Sequence, residues 1–265
     1  MNIKKHIPNA ITCCNLLCGC LALVQAFEGN LVHAAYLVGM GAIFDFFDGF
    51  AARILKVSSP IGKDLDSLTD MVTFGVVPGI VMYKLIFSSL LISVTDGAAA
   101  EGWTIYPPLV SSTQDTFEKT HSAPEFLIYI AFIITIFSAI RLAKFNNDTR
   151  QTDSFIGVPT PAVALFICAL PLILNHNNHY DFILNPYLLT ITSVILSFLL
   201  ISELPLFALK FKHFKWAGNE LRFVFLGLCL VLLITLQFIG IPLIIIMYIL
   251  LSIFNNVINK KKAVS

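Results

Sequence analysis

The sequence predicts an all-α polytopic membrane protein with about eight transmembrane helices. Three observations carry that expectation. Of 265 residues, 57% are hydrophobic and only 12% charged, about half the charge of an ordinary soluble domain. The apolar residues fall in long runs, each long enough or nearly so to cross a ~30 Å hydrocarbon layer as a helix. The runs lack the alternation of barrel strands, and backbone in lipid must otherwise pair its polar groups within the segment.

The runs occupy 9–27, 31–55, 69–94, 124–146, 158–175, 186–207, 220–237 and 240–257. The first follows the basic Met1–Lys5 but continues past Cys20 into Leu21–Ala26 with no small-x-small cleavage site, so it reads as a span and not a removed signal peptide. Its Cys13, Cys14, Cys18 and Cys20 read as small packing residues, and no disulfide framework is indicated. Between the third and fourth runs, 95–123 reads as a solvated connector, with Gly97, Gly102, Pro107 and Pro108. Gly157, Pro159 and Pro161 set the start of the fifth helix. His176 and His179 lie in the outer stretch Asn175–Asp181, whose asparagines favour a turn over a metal site. The stretch Leu209–Trp216, LKFKHFKW, reads as a membrane-surface segment with snorkelling cations.

Charge orients the spans. With the N-terminus inside, fifteen of the seventeen Lys and Arg residues fall on the cytoplasmic side, leaving Lys84 within helix 3 and Lys119 in the outer loop. This bias matches the positive-inside rule and an even number of crossings, with both termini cytoplasmic.

Carboxylates inside a membrane are costly and call for a reason. The stretch Phe44–Asp70, FDFFDGFAARILKVSSPIGKDLDSLTD, holds five aspartates. Asp45 and Asp48 are i, i+3 on one helical face, which Gly49 and Ala52 extend; Asp66 and Asp70 are i, i+4 at the start of the next helix. A turn containing Ser58, Ser59, Pro60 and Gly62 would bring both pairs together at the cytoplasmic surface. Solvation in a loop accounts for Asp64, but not for Asp45 and Asp48 among Ile43, Phe44, Phe46 and Phe47. Four facing carboxylates need a counter-charge, and all-oxygen ligands favour one or two ions of Mg²⁺, Mn²⁺ or Ca²⁺. Gly49 and Ala52 clear space beside them, and Arg53 can pair with phosphate. Together these point to metal-assisted phosphoryl transfer. A secondary transporter is the reading from another class, but its acids would lie near the midplane on interrupted, repeated helices.

The spacing Asp45-x2-Asp48-Gly49-x2-Ala52-Arg53-x8-Gly62-x3-Asp66-x3-Asp70 resembles the signature of the CDP-alcohol phosphotransferases at eight fixed positions. The resemblance implies an integral membrane enzyme, usually a homodimer, with a six-helix core. That core would occupy 1–207, and 208–265 would add a basic cytoplasmic loop and two C-terminal helices. It implies that Asp45, Asp48 and Asp66 bind metal, and that Asp70 binds metal or takes the acceptor's proton as the catalytic base. Gly49, Ala52, Arg53, Ser59 and Gly62 would shape the CDP pocket, with Asn9 and Thr12 of IPNAIT beside it. The flanks GKDLDSLTDMVTFGVVPG, RLAKFN and FIGVPTPA, with the weaker LLISELPLFALKFK, are similar to the serine-accepting branch. That similarity implies transfer of a phosphatidyl group from CDP-diacylglycerol to L-serine with release of CMP. Both termini inside and no evident eukaryotic targeting segment point to a bacterial plasma (inner) membrane. Lys63, Arg141 and Lys144 could meet the serine carboxylate or the lipid phosphate, or serve as positive-inside anchors. Relatives using glycerol 3-phosphate or an inositol phosphate remain the alternative acceptor class.

Overall fold

The computed structural model describes residues 6–57, 59–94, 126–147, 155–176, 178–206 and 219–264. Helices α1 (His6–Glu28) and α2 (Leu31–Leu55) form an antiparallel hairpin. Gly29 takes a positive φ of 105° in its turn, and Ala22, Ala26, Ala34 and Ala35 are buried where small side chains let the two backbones approach. The end of α2 is closed by Lys56 in the left-handed conformation, with the Val57 N–H donating to the Ala52 carbonyl.

The next rod starts earlier than the apolar run suggests. Helix α3 (Pro60–Asp70) begins nine residues before position 69, because Ser59 caps it by accepting from the Gly62 N–H and Pro60 takes the first turn. Its surface-lying, polar first turns carry no hydropathy signal. A π-helical segment, Met71–Val76, joins it to α4 (Val77–Val94). Phe74, Val77, Val81, Met82, Leu85 and Ile86 on this rod are fully buried, which makes it the centre of the bundle. Lys84, the lone cation within the rod's α4 stretch, reaches the carbonyl of Phe27 at the end of α1.

Helices α5 (Leu127–Ile130) and α6 (Phe132–Asn147) form the fourth rod. Then come α7 (Thr160–His176), with Pro171 inside it, and α8 (Pro186–Ile201), capped by Asn185. Expected to run to 207, α8 stops where Ser202 turns extended. A two-stranded antiparallel ribbon follows, β1 (Phe155–Ile156) on β2 (Pro205–Leu206). Gly157, at φ 76°, donates to the Leu204 carbonyl, and a Cβ there would stand 2.7 Å from the Leu200 oxygen. The lead-in to α7 is thereby pinned to the end of α8.

Helices α9 (Glu220–Leu236) and α10 (Gly240–Val264) fold back on each other at Gln237, itself at φ 48°. Phe225 and Tyr248 meet across the hairpin at 5.6 Å, and Phe238 at its tip packs between Tyr36 and His176. His176 therefore has an aromatic neighbour in the outer region where the sequence favoured a turn.

Among the described residues, five helical stretches are long and apolar enough to cross a membrane: His6–Glu28, Leu31–Leu55, Pro60–Leu90, Leu127–Asn147 and Arg222–Asn256. The last is the stretch folded in two at Gln237. Thr160–His176 and Pro186–Ile201 are shorter and apolar. The chain is thus an all-α multi-pass membrane protein, and the described residues build the helical rods in the order that the apolar runs predict. The cysteines are free, and Cys13, Cys14 and Cys20 are exposed. The stretch 95–123, Arg150 and Leu209–Trp216 lie outside the described residues.

Candidate active site

Three elements meet at one end of the bundle: the start of α1, the last turns of α2, and α3. Close packing one turn deeper sets their spacing. A Cβ on Gly41 would lie 2.8 Å from both Asn15 Oδ1 and Thr73 Cγ2, and one on Gly19 would collide with the Thr73 hydroxyl. Asp45 lies one helical turn beyond Gly41 on α2, and Asp70 three residues before Thr73.

At this end Asp45, Asp48 and Asp66 gather, each offering a carboxylate oxygen within 4.8 Å of the others. Asp48 is buried, and its Oδ2 accepts a 2.7 Å hydrogen bond from the Thr12 hydroxyl. Unit charges at that spacing repel by roughly 3–4 kcal/mol per pair at an effective dielectric near 20. A cation between them removes that cost. Three convergent carboxylates, one of them oriented by a hydroxyl, fit a hard divalent ion such as Mg²⁺, Mn²⁺ or Ca²⁺.

Asp70 stands apart from this trio. Its side chain meets that of Asp45, while its Oδ1 is buried with no hydrogen-bond partner among the described residues. On its other side stands Arg141 of α6, buried to 8% exposure and close enough to Asp70 for a charge interaction. The guanidinium also lies 5.7 Å from the Phe145 ring centre, and its Nε has no partner. Ser138, one turn back on α6, is fully buried, and its hydroxyl too is without a partner.

A cleft of about 380 Å³ opens beside the trio. Pro8, Asn9 and Thr12 line it from α1; Asp45, Asp48, Gly49 and Ala52 from α2; Val57 and Ser59 from the linker; and Gly62, Lys63 and Asp66 from α3. The two glycines in its wall differ. A Cβ on Gly62 would sit 3.0 Å from Asn9 Oδ1 and Ser59 Oγ, whereas one on Gly49 would meet nothing within 4 Å. Packing within the protein does not require glycine at position 49; the room it leaves belongs to the cleft.

The structure therefore brings together Asn9, Thr12, Asp45, Asp48, Gly49, Ala52, Ser59, Gly62, Lys63 and Asp66 around one cavity. It leaves Arg53 off the cleft wall, exposed, with its Nε donating to the Gly49 carbonyl on its own helix. Lys144 is exposed. Lys63 reaches across to the Asn146 carbonyl at 2.9 Å. Sequence reasoning missed Pro8 and Val57, apolar residues without a chemical signature. It also gave no role to Ser138, one turn before Arg141, or to Asn146, the last residue of RLAKFN.

The profile of the CDP-alcohol phosphatidyltransferase family matches residues 5–201. A CDP-diacylglycerol–serine O-phosphatidyltransferase of Bacillus subtilis is 31% identical over 216 residues, covering 82% of this chain and 95% of that protein. A protein of the same name from Methanocaldococcus jannaschii is 26% identical over 237 residues, covering 89% of this chain and 85% of the other. One from Helicobacter pylori J99 is 29% identical over 175 residues, covering 65% of this chain and 60% of the other.

Proposed function

The chain belongs to the CDP-alcohol phosphatidyltransferase family, and from that premise we propose that it transfers the phosphatidyl group of CDP-diacylglycerol to the hydroxyl of L-serine, giving phosphatidylserine and CMP. The observation that carries this reading is the carboxylate trio beside an open cleft, with a fourth acid and a buried arginine next to it.

The cytidine diphosphate of the donor occupies the cleft, against the backbone bared by Gly49. Asp45, Asp48 and Asp66 would hold one or two divalent ions, with the Thr12 hydroxyl fixing the Asp48 carboxylate. A metal bound there would supply charge neutralisation for the diphosphate and the departing CMP. Serine's hydroxyl is a poor nucleophile at neutral pH and needs a base. Asp70, with Oδ1 unpartnered, takes its proton. The serine oxygen bonds to the lipid-side phosphorus as the bond from that phosphorus to the CMP oxygen breaks. Arg141 holds the serine carboxylate or the lipid phosphate, a match of guanidinium to oxyanion. Lys63 and Lys144 lie on the same side of the membrane and strengthen its positive field.

The charge bias supports a plasma-membrane protein with the site and both termini facing the cytoplasm. The catalytic core is residues 1–207; 208–265 add the basic loop and the α9–α10 hairpin. Family resemblance supports a homodimer.

One assay tests the reaction. The purified protein is given CDP-diacylglycerol with labelled serine, glycerol 3-phosphate or an inositol phosphate in turn, and CMP and labelled lipid are measured. The expected result is lipid labelled from serine alone, lost on chelation and restored by Mg²⁺ or Mn²⁺. Labelling from a phosphorylated alcohol instead would reassign the acceptor.

A further inference from the structure

Helix α3 carries two of the four acids yet is the least embedded of the site's elements. Thr69 is its only buried residue, and Ile61 and Leu68 are 73% and 66% exposed. Apolar packing alone holds it weakly against the bundle. A closed loop of hydrogen bonds ties it to the last turn of α6. The Asn146 side-chain amide donates to Ser67 Oγ at 2.8 Å, the Ser67 hydroxyl donates to the Lys63 carbonyl at 3.1 Å, and the Lys63 ammonium donates to the Asn146 carbonyl at 2.9 Å. The last carbonyls of a helix have no partner within it, so a cation there is favourable. Lys63 and Ser67 bracket Asp66 on α3, while Asn146 lies five residues after Arg141 on α6. The loop therefore spans from the metal-side acids to the helix that presents the arginine.

We propose that Asn146 is a positioning residue that couples the donor side of the site to the acceptor side, holding Asp66 and Asp70 in register with Arg141 during transfer. The inference rests on the reaction proposed above. Small displacements of reacting groups are costly to turnover, whereas the donor cleft is lined mainly by α1, α2 and the linker, and the hydrogen bonds of Asn146 run to Ser67 and Lys63 of α3.

The test compares Asn146→Ala, Ser67→Ala, the double variant, Ser67→Thr and Asn147→Ala in the full-length protein, by CMP release and thermal midpoint. Asn147 is the control, since its amide donates to the Ala143 carbonyl of its own helix. The expected outcome is a kcat lower by roughly ten- to a hundred-fold in Asn146→Ala and Ser67→Ala. KM for CDP-diacylglycerol should stay within about three-fold. The double variant should be no worse than the poorer single, because both remove the same bond. Ser67→Thr, which keeps the hydroxyl, and Asn147→Ala should turn over like wild type. Wild-type kcat in Asn146→Ala would overturn the proposal. So would losses that multiply in the double variant, or a lowered thermal midpoint with kcat per bound donor unchanged. Failure of the serine reading is separate: wild type would then release no CMP with serine, and the same series would be read with whichever alcohol does release it.

Discussion

Asp66 and Asp70 are four residues apart on one helix face, yet their surroundings divide their work. Asp66 meets Asp45 and Asp48 at the cleft, whereas Asp70 lies deeper, between Asp45 and Arg141, with one oxygen unpartnered. Asp70→Asn should therefore still bind Mn²⁺ and CDP-diacylglycerol but lose turnover by roughly 10²–10⁴-fold, the usual worth of a general base. Wild-type turnover in that variant, with binding intact, would remove Asp70 from the base role. Gly49 provides a second test at this scale. A leucine there meets no protein atom near its Cβ and replaces a poor helix former, by up to about 1 kcal/mol relative to alanine. Gly49→Leu should keep its thermal midpoint while KM for the donor rises about ten-fold or more, a loss of binding from a filled cleft. A collapsed midpoint would instead make Gly49 a packing residue.

At the scale of elements, the rod from Pro60 to Val94 has two unlike halves. Its first half lies at the surface and presents acids; its second is the core of the bundle. The π segment between them falls immediately after Asp70, and such segments recur at functional sites. Past it the rod meets α6 through glycines. The Thr135 hydroxyl donates to the Gly75 carbonyl at 3.0 Å, Ser138 Cβ is 3.2 Å from a Cβ built on Gly75, and a Cβ on Gly79 would collide with the Thr135 hydroxyl. That close approach sets where Arg141, one turn beyond Ser138, stands relative to Asp70. Gly79→Val should force the helices apart, costing about 1–3 kcal/mol. Both thermal midpoint and activity should fall, in contrast to Gly49→Leu, where only activity moves. An unchanged midpoint would show that α6 adjusts freely at this contact.

For the whole molecule, the proposal that the site faces the cytoplasm rests on the charge bias of the sequence, with its excess of cations on one side. Lys56, exposed at the cleft end of α2, and Phe182, 66% exposed between α7 and α8, serve as reporters of the two faces. In a cysteine-free background, Phe182→Cys should react with an impermeant maleimide in intact cells, and Lys56→Cys only after permeabilisation. The opposite pattern would invert the topology and place the donor cleft outside.

The order of the spans, their helical character and the pairing of Asp45 with Asp48 and of Asp66 with Asp70 were all legible in the sequence. Each depends on forces that act within a few residues or on the solvent: apolar runs suited to lipid, and a helical period that repeats every turn. Ser59 and Pro60 read in the sequence only as part of a turn, and hydropathy overlooked the helix that they start because α3 lies at the surface. What only the tertiary structure decided is which groups meet. It gathers three of the four acids into one trio and turns Asp70 toward Arg141. It leaves Arg53 off the cleft wall and sends Lys63 to Asn146, 83 positions along the chain. Those outcomes follow from how closely helices approach at Gly19, Gly41 and Gly79. A glycine in a sequence does not reveal which distant side chain will occupy the room it leaves.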